Sequence, residues 1–132
     1  MIRKGSDRKI EVAEHKFGAD GFITVRNLIN GNEELNGKGR VFAHTTVLPG
    51  SGIGFHLHHG DTEIYYVYSG TAEYNDNGTI VQISAGDVTF TPDGTGHGVY
   101  NNGTEPLELI ALIIYSYPDS LWYICCAKRD YI

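Results

Sequence analysis

The sequence predicts an all-β fold for a chain of 132 residues. Three observations carry this prediction. Glycine is abundant, with 17 residues, and it supplies the backbone freedom that sharp turns need. Runs of strong helix formers are scarce. Short segments that alternate apolar and polar residues recur along the chain, and Gly, Asn, Asp and Pro separate them, which is typical of strands joined by turns.

The predicted strands follow one another with short connections. They are Ile10–Val12, Phe22–Ile29, Val41–Leu48, a strand around His56 and His58, Glu63–Ser69, Thr71–Tyr74, Thr79–Ile83, Asp87–Thr91, His97–Tyr100 and Leu107–Tyr115. Asn77-Gly78 is a strong hairpin signal, because both positions tolerate a positive φ. Residues 30–40 are polar and rich in Gly and Asn, and we interpret them as a surface connector. The alternative is that this loop covers a pocket.

A candidate metal site lies in the stretch GSGIGFHLHHGDTEIYYVYSG, residues 50–70. His56 and His58 are two residues apart, so on a strand both imidazoles lie on one face. The polar run after them has turn chemistry, and Glu63 opens the next apolar run. A strand, a turn and a second strand would bring Glu63 beside the two histidines. Two imidazoles and a carboxylate suit Zn, Fe, Mn, Co or Ni.

A second stretch, GDVTFTPDGTGHGVYN at residues 86–101, contributes a further histidine. Its strand ends at Pro92, the next four residues have turn chemistry, and His97 opens another strand. An isolated histidine after a glycine-rich turn is usually a turn residue, so the signal depends on both stretches together.

Together the two stretches resemble the two cupin motifs. The first has Gly50, His56, His58, Glu63 and Gly70 at the motif spacing, and the second has Gly86, Pro92, Gly94, His97 and Asn101, without a departure. The resemblance implies a small double-stranded β-helix (jelly-roll) barrel. It also implies one divalent metal ion per chain, held inside by His56, His58, Glu63 and His97.

We expect a single cupin domain over residues 1–132. Its barrel core would span about residues 41–115, with N-terminal strands at 10–29 and an apolar C-terminal extension at 116–132, whose conformation the pattern does not decide. The aromatic face of Ile64, Tyr66 and Tyr68 should be covered, either by the N-terminal segment or by another subunit. Leu121–Cys126 adds further apolar surface, and the resemblance implies pairing through the sheets. We therefore expect a homodimer.

Composition narrows the possible partners and the compartment. The net charge is −6 and no Lys/Arg cluster occurs beyond short pairs, which argues against nucleic-acid and membrane partners. No segment is apolar enough for a signal peptide or a membrane span. The two cysteines are adjacent and give no disulfide framework. We expect a cytoplasmic protein with a small-molecule ligand.

Three functions are compatible with such a site. The first is a small-molecule metalloenzyme, for which dioxygenase chemistry is favoured and decarboxylase or isomerase chemistry remains possible. The second is a non-catalytic module that binds a sugar or an organic acid through the metal. The third is a purely structural or protein-interacting barrel, which a complete ligand set disfavours.

Candidates for proton transfer are Tyr65, Tyr100 and His44, if alternation places them inward; His44 is alternatively a structural or surface histidine. Phe90, Val99 and Tyr65 are expected near the ion. Neither motif contains an arginine, which argues against a multiply anionic substrate and is compatible with a neutral sugar, a phenol or a keto-enol compound. These apolar surroundings are the reason for favouring oxygen chemistry.

Overall fold

The computed structural model describes residues 1–116, and the expectations for the extension beyond them lie outside this range. The described part contains ten strands: β1 (Ile10–Glu14), β2 (Phe22–Asn27), β3 (Gly39–Val47), β4 (Gly52–Leu57), β5 (Asp61–Ser69), β6 (Thr71–Asp76), β7 (Thr79–Ser84), β8 (Val88–Thr91), β9 (Gly96–Tyr100) and β10 (Leu107–Tyr115). Three short 3₁₀ turns, Gly5–Asp7, Lys16–Gly18 and Asn32–Leu35, complete it. None of the described segments is a helix long and apolar enough to cross a membrane.

The strands form two antiparallel sheets. One has six strands in the order β1-β2-β3-β10-β5-β8, and the other has four in the order β4-β9-β6-β7. The core takes residues from both sheets, including Val47, Val67 and Leu109 of the larger sheet and Tyr74 and Val99 of the smaller one. Two sheets that bury their inner faces against each other define a jelly roll, so the all-β and double-stranded β-helix predictions are confirmed.

Alternation decides which side chains face the core. Along β5, Glu63, Tyr65 and Val67 are buried, whereas Tyr66 and Tyr68 on the opposite face are each more than two-fifths exposed. The same rule places alternate residues of β3 and β10 inward. The site side chains on β5 therefore share their face with the apolar core.

The loop at residues 30–40 is a fixed connector. Arg3 donates two hydrogen bonds to the Glu34 carboxylate, at 3.0 and 2.5 Å, and Asn32 donates to the hydroxyl of Tyr115. Only Arg40, which already belongs to β3, lines the cavity described below. The alternative in which this loop covers the pocket is not what the structure shows.

Candidate metal centre

Three strands and one turn bring the four predicted ligands together. His56 on β4 lies directly opposite His97 on β9 in the same sheet. Glu63 comes from β5 of the facing sheet, and His58 follows the end of β4. The site therefore lies between the sheets, with residues from both.

A β-bulge in β4 turns the histidines inward. Ile53 pairs with Val99 and His56 with His97, so three steps along β4 match two along β9. Ile53 is buried in the core, and strict alternation from it would place His56 on the outer face. The extra residue reverses the phase, which leaves Phe55 exposed and lets His56 face inward with Ile53.

Two turns that bond each other fix His58. Its backbone N–H donates to the carbonyl of Thr95 at 2.9 Å, and its own carbonyl accepts from Gly94 at 2.8 Å. Gly60 donates to the Asp93 carboxylate at 2.8 Å. Gly60 and Gly94 have φ of +81° and +87°, a region that favours glycine. These contacts hold the turn after β4 against the turn before β9.

The four potential ligand atoms form one compact cluster. They all lie within 4.8 Å of one another. The Nε2 atom of His97 is 3.2 Å from the Nε2 atoms of His56 and of His58, and 2.9 Å from Oε1 of Glu63. His58 Nε2 is 3.2 Å from the same carboxylate oxygen. Ligands about 2.1 Å from one ion and at right angles to each other are about 3.0 Å apart, so this spacing fits a first-row divalent metal.

Each imidazole is oriented by a contact at its other nitrogen. His56 Nδ1 lies 2.8 Å from the carbonyl oxygen of Gly54, and His58 Nδ1 lies 2.7 Å from Oδ1 of Asp61. His97 Nδ1 lies 2.9 Å from both the Tyr74 and the Thr91 hydroxyls. A carbonyl or carboxylate acceptor at Nδ1 holds a proton there, so that Nε2 is the nitrogen available to a metal. The three Nε2 atoms are thus oriented toward one another, as ligands of a single metal ion would be.

A short relay supports His58. Arg40 Nε donates to Oδ2 of Asp61 at 2.9 Å, and the other Asp61 oxygen faces His58. Burial opposes the ionisation of Asp61, but the hydrogen bonds from His58 and Arg40 outweigh it and lower the pKa of the carboxyl. Asp61 is therefore a carboxylate that raises the basicity of its imidazole.

The cluster is charged and largely buried. Burial opposes ionisation of Glu63, yet hydrogen bonds from His58 and His97 lower its pKa below the usual value. Burial would also lower the pKa of His58, but the Asp61 and Glu63 carboxylates outweigh that effect and raise the pKa to about 9. For His56, burial prevails and lowers the pKa. These opposite directions show that His56 and His58 have electrically different surroundings.

A cavity of about 270 Å³ opens onto the cluster. Its walls are largely apolar and come mainly from β2, β3 and β10; they comprise Ile23, Val25, Val41, Ala43, Leu109, Ala111 and Ile113. Charged side chains are also present, namely Glu11, Lys16 and Arg40. The volume lies just below the range of drug-sized pockets, so the space suits a small ligand.

Of the three proton-transfer candidates, the structure places only Tyr65 in the cavity. Its ring stacks on His97 with 4.9 Å between centroids. Burial, followed by the charge of Glu63, raises the pKa of its phenol well above the ordinary value. The hydroxyl therefore stays protonated at neutral pH.

The expected inward direction is wrong for the other two. His44 alternates with the cavity-lining Ala43 and Thr45, and its Nε2 lies 2.5 Å from Glu108 and 2.7 Å from the Tyr68 hydroxyl. His44 is therefore a structural histidine that contacts Glu108 and Tyr68, which is the alternative stated above. Tyr100 lies on the outer face of the smaller sheet, where it lines a separate depression.

Two expected wall residues also lie elsewhere. Phe90 is 58% exposed, because the buried residues of β8 are Thr89 and Thr91, so its placement near the ion is wrong. Val99 is buried in the core, but the residues that line the site cavity do not include it. A one-residue difference in strand phase explains the error for Phe90.

Sequence analysis missed four residues beside the site. Asp61 was taken only as a turn residue, although its spacing of three from His58 could have indicated a partner. Arg40 and Lys16 line the cavity but lie outside both motifs. The motifs alone therefore could not reveal these positive charges. Phe17, which stacks on His56 at 4.0 Å, gave no signal, because its contact depends on tertiary structure.

Comparison with known proteins identifies the family. A cupin-domain model matches residues 43–115, which hold both motifs and all four clustered residues. The chain belongs to the cupin family. The possible metal site of this cupin is the cluster of three histidines and one glutamate.

Relatives of this cupin differ in length and in name. An oxalate-binding protein of Thermotoga maritima is 38% identical over 114 residues, which cover 86% of this cupin and 93% of the relative. A mannose-1-phosphate guanylyltransferase of Escherichia coli K12 is 35% identical over 72 residues, which is 54% of this cupin but only 15% of that enzyme. The second match therefore concerns one part of a much longer protein.

A solved structure from Thermotoga maritima, described as a predicted oxalate decarboxylase, superposes with a TM-score of 0.82. It is 37% identical, and the match covers 87% of this cupin and 99% of that chain.

Proposed function

We propose that this cupin binds one divalent transition-metal ion through His56, His58, Glu63 and His97 and uses it to hold a small chelating organic acid. Oxalate is the first candidate ligand. The observation that carries the proposal is the convergence of three Nε2 atoms and one carboxylate oxygen within 4.8 Å at the cavity. The ion would present its remaining coordination positions to the ligand and polarise the bound oxygens.

Charge favours an anionic ligand. Three neutral imidazoles and the Glu63 carboxylate leave a net charge of about +1 around a divalent ion. Lys16 and Arg40 at the same cavity are matched in number by Glu11 and the Asp61 carboxylate, so the net positive charge comes from the ion. A small dicarboxylate would complement this field and would chelate through two oxygens. The name of the 38% identical Thermotoga maritima relative supports the same ligand class.

Calorimetry on metal-loaded protein tests the proposal. After metal analysis of the loaded sample, we expect oxalate to bind the Mn²⁺ form and to lose most of its affinity after chelation of the ion. The His97→Ala variant should fail to retain the metal, because it removes the ligand that contacts the other three. Full metal content in that variant, or equal oxalate binding with and without metal, would overturn the proposal.

Catalysis at the same site is the second candidate, and Tyr65 favours it. Its protonated phenol lies in the cavity on a ligand histidine, where it can donate a hydrogen bond to a bound carboxylate or oxygen species. Conversion of oxalate and a proton into formate and carbon dioxide is one reaction that fits; substrate-dependent oxygen uptake, as in dioxygenases, is the other.

Product analysis separates catalysis from simple binding. The metal-loaded protein would be incubated with oxalate, and with catechols, diketones and enols in an oxygen electrode, while formate and oxygen are measured. Turnover that disappears in Tyr65→Phe, with metal content unchanged, would support a catalytic role for the phenol. Binding of oxalate without any product would assign the protein to the non-catalytic class.

A further inference from the structure

The connection between β1 and β2 has an unusual backbone next to the site. His15 and Phe17 both have left-handed conformations, with φ of 48° and 51°, and Gly18 follows with φ of 83°. Non-glycine residues adopt this region rarely, and an aromatic residue gains nothing locally from it. We call residues 15–18 the aromatic turn. Two left-handed side-chain-bearing residues within three positions indicate that tertiary contacts impose its shape.

The aromatic turn lies directly against the four-residue cluster, at His56. The Phe17 ring stacks on the His56 ring with 4.0 Å between centroids and 15° between planes. The nitrogen of Lys16 lies 5.1 Å from the centre of the Phe17 ring. Both side chains line the site cavity. One aromatic side chain and one ammonium group therefore lie beside the place where a ligand would approach.

Strand β4 is built to accept this contact. A Cβ at Gly54 would lie 2.0 Å from the carbonyl oxygen of Phe17, so only glycine permits the approach. The connection is also tied at its far end, where Gly52 donates to the carbonyl of Asp20 at 3.1 Å. The aromatic turn thus bridges from the larger sheet to the smaller one across the cavity.

Burial of Phe17 does not explain this arrangement. The residue remains 55% exposed, so little apolar surface is removed from water to offset the strained backbone. The contact that the strain secures is the one with His56. The position of the ring is therefore a property of the site rather than of the core.

We propose that Phe17 is a specificity-determining residue that limits the length of the acid bound at the metal. The site then accepts a two-carbon dicarboxylate and disfavours longer ones, which would meet the ring. This inference rests on the proposed function, because it requires a metal-bound organic acid. It concerns the ligand's size, not the presence of the metal.

Selectivity measured by calorimetry tests the inference. Oxalate, malonate and succinate would be titrated into Mn²⁺-loaded wild-type protein and into the Phe17→Ala and Phe17→Leu variants. One methylene is worth about 10- to 200-fold in a shaped pocket, and we expect Phe17→Ala to reduce the preference for oxalate over malonate by about tenfold. Phe17→Leu keeps most of the bulk and should keep most of the preference.

The position of the turn is varied separately with Gly54→Ala, which displaces Phe17 without removing its ring. It should also reduce the preference for oxalate. An unchanged oxalate-to-malonate ratio in Phe17→Ala, with oxalate still bound by the wild-type protein, would overturn the inference and leave the proposed function intact. Failure of the metal-loaded wild-type protein to bind any of the three acids would instead overturn the proposed function and this inference with it.

A metal-free measurement checks the contact itself. Stacking on Phe17 places the His56 ring protons in the shielding region of the aromatic ring. In the NMR spectrum of the apo protein, we expect these protons to move downfield in Phe17→Ala while those of exposed His59 keep their position. No movement of the His56 signals would show that the ring is not in place in solution, and the inference would fall.

Discussion

Each of the three clustered histidines uses Nδ1 for a contact within the protein and turns Nε2 toward the others. The contacts differ: a backbone carbonyl for His56, a carboxylate for His58 and hydroxyl groups for His97. A carboxylate strengthens the donor ability of an imidazole more than a neutral acceptor does. His58 is therefore more basic than His56, and measurements on single residues can test this difference.

Metal affinity should depend on pH through His58. In the metal-free protein its pKa is raised to about 9, so the ring carries a proton at pH 7 that the ion must displace. We expect release of about one proton on binding at pH 7, and an affinity that rises by about tenfold per pH unit up to about pH 9. Calorimetry in buffers of different ionisation enthalpy measures the proton count. Binding without proton release at pH 7 would contradict the assignment.

The same raised pKa affects stability in the opposite sense when no metal is present. A folded pKa above the unfolded value of about 6.5 means that protonated His58 stabilises the apo protein below that pH. This contribution is lost as the pH rises through about 9. The free energies of unfolding of apo and metal-loaded samples should therefore diverge as the pH rises through about 9.

Asp61→Asn tests the relay behind His58. An amide cannot supply the negative charge that holds the His58 ring and pairs with Arg40, so we expect metal affinity to fall by about 10- to 100-fold. The matched control is Asp87→Asn. Asp87 is also a turn carboxylate, but it accepts from the Ser84 N–H, away from the cluster. Equal metal affinity in both variants would show that Asp61 is not part of the site.

At the level of strands and turns, the sequence predicted the site residues better than their directions. The H-x-H spacing and Glu63 identified the cluster because residue type and short-range periodicity determine them. The bulge in β4 could not be read from the pattern, since it depends on pairing with β9. The same limit explains Phe90, which β8 presents outward, and His44, which β3 presents away from the cavity.

The left-handed backbone of the aromatic turn leads to an unusual order of stabilities. At an ordinary loop position, alanine is more stabilising than glycine by about 0.4–1 kcal/mol, because glycine has more unfolded-state entropy. At Phe17, with φ of 51°, glycine avoids the strain that alanine keeps. We expect Phe17→Gly to exceed Phe17→Ala in free energy of unfolding by about 1 kcal/mol.

Urea denaturation of the two variants measures that difference. Val12, which is exposed on β1 with no positive φ, provides the control, because its Ala and Gly variants should show the ordinary order. If alanine is the more stable residue at position 17 as well, the turn adopts another conformation in solution.

At the level of the whole molecule, a bound ion would join the two sheets, because His56 and His97 belong to one and Glu63 to the other. At a thousandfold excess over its Kd, a ligand of the native state adds about 4 kcal/mol, which corresponds to a Tm increase of roughly 10–20 °C for a chain of this size. Differential scanning calorimetry with and without Mn²⁺ measures it. A similar increase in His97→Ala would indicate binding elsewhere.

The outer face of the larger sheet carries an exposed apolar surface that is relevant to the predicted homodimer. Ile64 pairs with Phe90 and Tyr66 with Val88, so these side chains form a continuous apolar surface, and three of the four are more than two-fifths exposed. The homodimer remains a prediction, and this surface is its expected interface. Sedimentation equilibrium should give twice the chain mass at micromolar concentration, and Tyr66→Lys should reduce it.

Ile80→Lys is the matched control for that substitution, since Ile80 is similarly exposed but lies on the smaller sheet. A monomeric mass for the wild-type protein would refute the dimer. Loss of the dimer in both variants would place the interface elsewhere.

The overall architecture followed from the sequence more fully than its details did. Leu107–Tyr115 is the last strand of the described residues, as predicted, because its long apolar run suits a strand in the middle of the sheet. The strand predicted to begin at Glu63 begins two residues earlier, at Asp61, where pairing with Tyr115 extends it. Strand ends depend on partners that no local pattern reveals.

The aromatic turn belongs to an edge hairpin, and that position has a kinetic consequence. β1 pairs with β2 alone, whereas β3, β10 and β5 each pair on both sides. Opening β1 breaks one ladder and leaves the two sheets together, so it costs less than global unfolding. A ligand beneath Phe17 can then leave through local opening, and its residence time would follow the exchange of β1 amide hydrogens rather than the stability of the whole protein. Hydrogen exchange and dissociation rates measured on the same samples would show whether the two change together.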